Sequence, residues 1–221
     1  MTRILTPLAV ALALACATPA LAAEDISKVN GSIETSAGGS YGDLETVNGA
    51  VRVAERAQAG DASTVNGGIT VGDGARVGSV ETVNGSIRLG RDVQVAGGIE
   101  TVNGSVFVDQ GSTIGKDVET VNGAIGLVRT QVGGDIETVN GNITVGIGSH
   151  VHGGITVSRS HGIFGGKPKR KPRVVIGPDA VVDGPLLFER EVDLYLHRSA
   201  RIGQVTGADP VIFDTDTAPQ D

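Results

Sequence analysis

The chain has no tryptophan, two tyrosines and four phenylalanines in 221 residues. A core built from it has to be thin and aliphatic. Cysteine is as scarce: Cys16 stands alone, which excludes an intramolecular disulfide and a cysteine-rich metal site. No window sustains a helical period, and no segment is apolar for long enough to span a membrane. Positive charge is short, with 18 Lys and Arg against 25 Asp and Glu. That balance favours solubility and disfavours nucleic acid as a partner. Glycine, in contrast, is abundant at 34 residues, and much of it is placed periodically.

Val-Asn-Gly recurs seven times, with its asparagines at Asn30, Asn48, Asn66, Asn84, Asn103, Asn122 and Asn140. The spacing of 18 or 19 residues marks a repeat protein in which each repeat is one turn of a stack. Apolar residues fall into columns when the asparagines are aligned. Ile99, Val118, Ile136 and Ile155 form one, Val83, Val102, Val121 and Val139 a second, and Ile87, Val106, Ile125 and Ile143 a third. Pairs two apart, such as Ile143 and Val145, have the strand period. The expected fold is all-β, a single-stranded parallel β-helix (β-solenoid) with ~18-residue coils stacked about 4.8 Å apart. Asn-Gly is also a hairpin signal. A hairpin series, however, alternates symmetrically about its turns, whereas here the two sides of Asn-Gly differ in the same way each time.

The asparagine column reads as a structural ladder. Asparagine tolerates left-handed backbone at a bend, and the glycine after it relieves crowding. Stacked side-chain amides bond to the coils above and below. On this reading Asn103, in a central coil, is nearly buried. Repetition of one residue in every coil suits a scaffold, since catalysis needs different residues converging on one place.

Residues 1–22 read as a secretory signal peptide, with Arg3 before an apolar stretch and Ala20-Leu21-Ala22 before the cleavage site. Without them the net charge is −8. Lipidation of Cys16 is the alternative, with a lipobox only partly matched by Ala13-Leu14-Ala15. The solenoid is expected over residues 23–206, with regular coils to about residue 157, a basic loop at 158–173 and final coils at 174–206. The divergent coil carrying Phe188 and Tyr195 reads as a cap. Residues 207–221 form a short, loose, acidic tail.

Three further features invite chemistry. Glu81, Glu100, Glu119 and Glu137 occupy one column on consecutive coils, with Glu45 earlier in it. Such a line is a candidate for a hard cation, but the nonapeptide of Ca²⁺-binding solenoids is absent. A solvated acidic edge that deters lateral pairing is preferred, and no metal is assigned. Lys167, Lys169, Arg170, Lys171 and Arg173 crowd one end of the loop, a candidate surface for anionic lipid or an acidic envelope polymer. His150, His152 and His161 lie within twelve residues, but no acidic residue in that stretch completes a zinc site, so chance surface placement is preferred. No cofactor is called for.

The run Val175-Ile176-Gly177-Pro178-Asp179-Ala180-Val181-Val182-Asp183-Gly184 resembles a bactofilin-type coil. The Val-Asn-Gly-x-Ile repeats are similar to the β-solenoid putative-adhesin domains of bacterial envelope proteins. These resemblances cover most of residues 24–206 and imply a non-enzymatic scaffold. Bactofilins are polymer-forming and generally cytoplasmic, whereas this chain carries an export signal. The expectation is therefore an exported envelope scaffold, adhesin-like or assembly module, periplasmic or secreted. It would self-associate through its open N-terminal edge, head-to-head. The alternative is a carbohydrate-active β-helix enzyme, a polysaccharide lyase or hydrolase. That reading wants grouped carboxylates and aromatic platforms, and the regular coils offer only Tyr41 and Phe107 as aromatics.

Overall fold

In the computed structural model, which describes residues 23–159 and 171–219, the chain winds as a β-solenoid of about nine coils. Every strand pairing is parallel, and the described residues contain no helix. Each coil passes in turn through three sheets. Sheet 1 holds ten strands, from Ile26–Asn30 through Ile99–Asn103 to Val205–Thr206. Sheet 2 also holds ten, from Ile33–Glu34 to Pro210–Phe213, and sheet 3 seven, from Arg76–Val77 to Arg201–Ile202. Isolated bridges from Ser40 to Gln58 and Gln58 to Arg76 continue sheet 3 toward the first coil. Like stacks on like: Asn103 is in register with both Asn84 and Asn122.

The core is a column of aliphatic side chains inside the coils. Ile99, Val118, Ile136 and Ile155 line sheet 1, and Ile87, Val106, Ile125 and Ile143 line sheet 2, all at most 1% exposed. The column of Val83, Val102, Val121 and Val139 points the other way. Val83 and Val121 are about 40% exposed, and Val102 and Val139 are half-buried on the outer surface. Strand alternation explains the reversal. With Val80 inside and Glu81 outside, Thr82 must point in and Val83 out.

A threonine column therefore occupies the second inward position of sheet 1: Thr46, Thr64, Thr82, Thr101, Thr120 and Thr138 are buried. Each of the first five donates its hydroxyl to a glycine carbonyl of the preceding coil, as Thr101 Oγ1 does to Gly85 at 3.2 Å. That carbonyl lies against the glycine of the next Val-Asn-Gly. A Cβ on Gly104 would stand 1.8 Å from Gly85 O, and on Gly123 1.9 Å from Gly104 O. The glycine is thus required by close approach between coils.

The left-handed backbone lies at a different corner from the one the sequence points to. None of the ladder asparagines has positive φ. Apart from Gly31, at the first Asn-Gly corner, and Gly207, the residues with positive φ are Gly38, Arg56, Gly74, Asp92, Gly111, Arg129, Gly148 and Asp179, one per coil between sheets 2 and 3. At that corner the amide of one coil donates to a carbonyl of the next, as Arg56 N does to Asp73 O at 2.9 Å. Such a backbone bond to the next coil holds Arg56, Asp92 and Arg129 where side chains are disfavoured, while Asp179 N donates to Ser199 Oγ at 2.9 Å.

The ordered stack runs past residue 206. Pro210–Phe213 pairs with Asp193–His197 as the last strand of sheet 2. Phe188, Tyr195 and Phe213 are buried in these last coils, where the earlier coils use aliphatic residues. Phe213 also meets His197 edge-on at 5.1 Å. The final strand begins with proline, which blunts an edge.

Two substitution pairs test this account. Gly104→Ala should cost about 3 kcal/mol or more in a urea melt, because the clash is with backbone. Gly126→Ala, whose Cβ would meet only Phe107 Cδ2 at 3.5 Å, should change stability by less than about 1 kcal/mol. In the threonine column the sign should invert. Thr101→Val removes a made bond and should cost about 1–2 kcal/mol. Thr138 Oγ1 is buried with no partner among the described residues, because its strand ends at Thr138 and not at the asparagine. Thr138→Val should therefore stabilise by about 1 kcal/mol.

Candidate functional site

The outer surface of sheet 1 carries three parallel columns: glutamate, valine and asparagine. The asparagine ladder forms as expected. Each Nδ2 donates to the Oδ1 of the preceding coil at 3.0–3.1 Å, from Asn140 back to Asn30. It is not buried, however. Asn103 and its counterparts are exposed, since the strand period that points Thr101 inward keeps the corner residue outside. Each rung is correspondingly worth less than a buried amide pair. All six bonds run in one sense. The free Oδ1 of Asn140 is taken by Arg190, whose Nη1 lies 2.7 Å from it and 2.9 Å from Val139 O. A guanidinium only donates, so Arg190 selects the direction of the whole ladder. Beside it, Asn140, Asn142, Lys171, Pro172 and Arg190 border an open groove of about 350 Å³.

A second ladder escaped the sequence reading. Asp25, Asp43, Asp61, Asp117 and Asp135 stand at the corner before sheet 1, and each Oδ1 accepts a backbone N–H from the next coil at 2.6–2.9 Å. The signal was present as an aspartate just before the inward residue of five sheet 1 strands, as in Gly42-Asp43-Leu44 and Gly60-Asp61-Ala62.

The glutamates stack in register, Glu81 beside Glu100, Glu100 beside Glu119, Glu119 beside Glu137. They form a line and do not converge on one point, so the hard-cation candidates are not assembled into a site. Glu119 has its pKa raised above the ordinary glutamate value, by partial burial first and then by Glu137, Glu100 and Asp117.

Of the basic candidates, Lys167, Lys169 and Arg170 lie outside the described residues, as do His161, Cys16 and the whole of the signal segment. Lys171 pairs with Glu191 at 3.1 Å. Arg173 lies over the Tyr195 ring at 4.2 Å, donates to the Pro219 carbonyl through Nη2, and donates its backbone N–H to Asn142 Oδ1 at 2.9 Å. Both are already engaged by the protein's own groups.

One group among the described residues brings three potential ligand atoms within 4.8 Å of one another: His150, His152 and Asp183. The histidines point outward from sheet 3 on either side of buried Val151. Asp183 comes from the next coil, where Val182 pairs with Val151 and Asp183 N donates to Val151 O at 2.9 Å. Its Oδ2 lies 2.7 Å from His150 Nε2 and 3.2 Å from His152 Nδ1. The bond from His150 is the largest influence holding the Asp183 carboxyl below its ordinary value. The acidic partner missing from the local sequence is thus supplied 31 residues on. Aligning Val151 with Val182 across the basic segment would have found it.

No protein-family model, curated protein or solved structure matches the chain.

The glutamate column yields a test with a definite sign. A carboxyl whose folded pKa is raised binds its proton more tightly in the native state, so stability rises as pH falls through that value. Glu119→Gln should raise stability at pH 7 by less than about 1 kcal/mol, given the solvation of the column. The gain should shrink at pH 4–5 and in high salt, as urea melts across pH and ionic strength would record.

Proposed function

We propose that the protein is an exported, non-enzymatic β-solenoid of a Gram-negative-type cell envelope, acting as a scaffold, adhesin-like or assembly module. The observation that carries this reading is the outer face of sheet 1. Glutamate, half-exposed valine and bonded asparagine recur there at the coil repeat, offering one set of contacts many times along a rod. Such a face suits a long or repeating partner. A hydrolase or lyase needs unlike groups gathered in a cleft.

Export rests on the signal segment read from residues 1–22, with lipidation at Cys16 as the other route to the envelope. The basic segment around Lys167, Lys169, Arg170, Lys171 and Arg173 remains the proposed contact for an anionic envelope component. Lys171 would have to exchange Glu191 for it.

Self-association is proposed through the first strand, Ile26–Asn30, which pairs on one side with Leu44–Asn48 and, once the signal segment is removed, has its other edge open. Val29 on this strand is 68% exposed. Ile33, by contrast, is buried at 1%, so a charge there would disrupt the first coil and not merely block its edge.

Sedimentation velocity of the exported chain should show a concentration-dependent dimer, and Val29→Lys should shift it to monomer with an unchanged circular dichroism spectrum. A strict monomer at high concentration would remove the open-edge proposal. Long filaments would remove the C-terminal cap and favour the bactofilin-like alternative. Turnover of an envelope polysaccharide by the purified chain would overturn the non-enzymatic reading.

A further inference from the structure

We propose that His150, His152 and Asp183 form a binding site for a divalent transition metal of the zinc class. The site clamps together the two coils on either side of the basic segment.

The geometry comes from the fold. His150 and His152 are two residues apart on an extended segment, so strand alternation puts both imidazoles on one face. The parallel register with the following coil then sets Asp183 beside His152. The two rings lie 4.1 Å apart, centre to centre, at 42°, and both direct a nitrogen at the same carboxylate oxygen. In a tetrahedral site with metal–ligand bonds of about 2.0–2.1 Å, ligand atoms stand roughly 3.3 Å apart. The observed separations of 2.7 and 3.2 Å are close to that spacing. A small outward shift of the carboxylate opens the centre.

Donor chemistry selects the ion. Two imidazole nitrogens and one carboxylate oxygen suit zinc and its first-row neighbours. Calcium and magnesium take oxygen ligands almost exclusively. Three protein ligands leave a fourth position. It faces a surface hollow of about 300 Å³ bordered by Arg201, Ile202 and Gly203 of the next coil, where a water or an anionic group completes the shell.

The location gives the site a purpose. In sequence, the strand His150–Val151 comes before the basic segment and Val181–Val182 after it. The step between these coils is 31 residues, against 18 or 19 in the repeated coils. A metal held by both coils ties the stack where the connecting chain is longest. An ion pair alone would do this less well, since the three side chains are between about one-third and one-half exposed and exposed pairs contribute little.

Cobalt(II) titration of the full, untagged chain tests the proposal. Wild type should develop the intense visible d–d bands of a four-coordinate nitrogen and oxygen site, and equimolar Zn²⁺ should bleach them. His152→Ala and Asp183→Asn should each weaken the affinity at least about tenfold and abolish the Zn²⁺-dependent rise in melting temperature. His161→Ala and His197→Ala should bind as wild type does. His152, Asp183 and His197 lie off the aliphatic core, and circular dichroism without metal verifies the fold of every variant. Absence of the bands in wild type, or bands that persist in the His150→Ala/His152→Ala double variant, would overturn the site. Neither outcome bears on the scaffold reading, which predicts no metal dependence of self-association.

Discussion

The structure depends on how closely one coil can lie on the next at the Asn-Gly corner. There the carbonyl of one glycine occupies the space that a Cβ on the next would need, with gaps under 2 Å at Gly67, Gly85, Gly104, Gly123 and Gly141. A methyl group at any of these would lift one coil from its neighbour and unzip the strand pairing on both sides. Because the same residue meets the same residue at every level, the constraint propagates. It sets the interval at which the threonine hydroxyls find their carbonyls, at which the asparagine amides come within hydrogen-bond reach, and at which the aliphatic column closes.

Polar groups are handled by the same repetition. A solenoid corner leaves backbone groups without partners inside the coil, and a buried one without a partner is costly. Here the threonines answer the glycine carbonyls from inside, and the aspartate ladder answers the amides before sheet 1 from outside. The exception is informative. At Thr138 the strand stops short, the hydroxyl is orphaned, and Arg190 reaches the adjacent Val139 carbonyl and the end of the asparagine ladder. Regular coils give way to divergent ones at this place.

Much of this was legible in the residues. The 18-residue period gave the coil, the alternation of Ile143 and Val145 gave the strands, and Asn-Gly marked a corner. The sense of Val83 and its equivalents was not legible from the column alone, because the strands are only five residues long. Within them, an apolar column next to a corner looks the same whether it faces in or out. Counting by twos from Val80 decides it. The left-handed corner was hidden because its occupants vary, Arg56 and Asp92 alternating with Gly74 and Gly111, so no single residue type marks it. The approach of Asp183 to His150 and His152 was hidden by the basic segment, which separates in sequence two coils that touch in space.

That segment has a further consequence. The chain adds about a dozen residues between Val157 and Arg173, yet Ile155 still pairs with Leu186 and Ile143 with Val174 as if nothing intervened. In this architecture the height of the rod is set by the number of coils and is indifferent to how much chain each one carries. Contour length and height are therefore uncoupled at the corners. A lineage of such rods can gain or lose residues at one level while the levels above and below keep their positions.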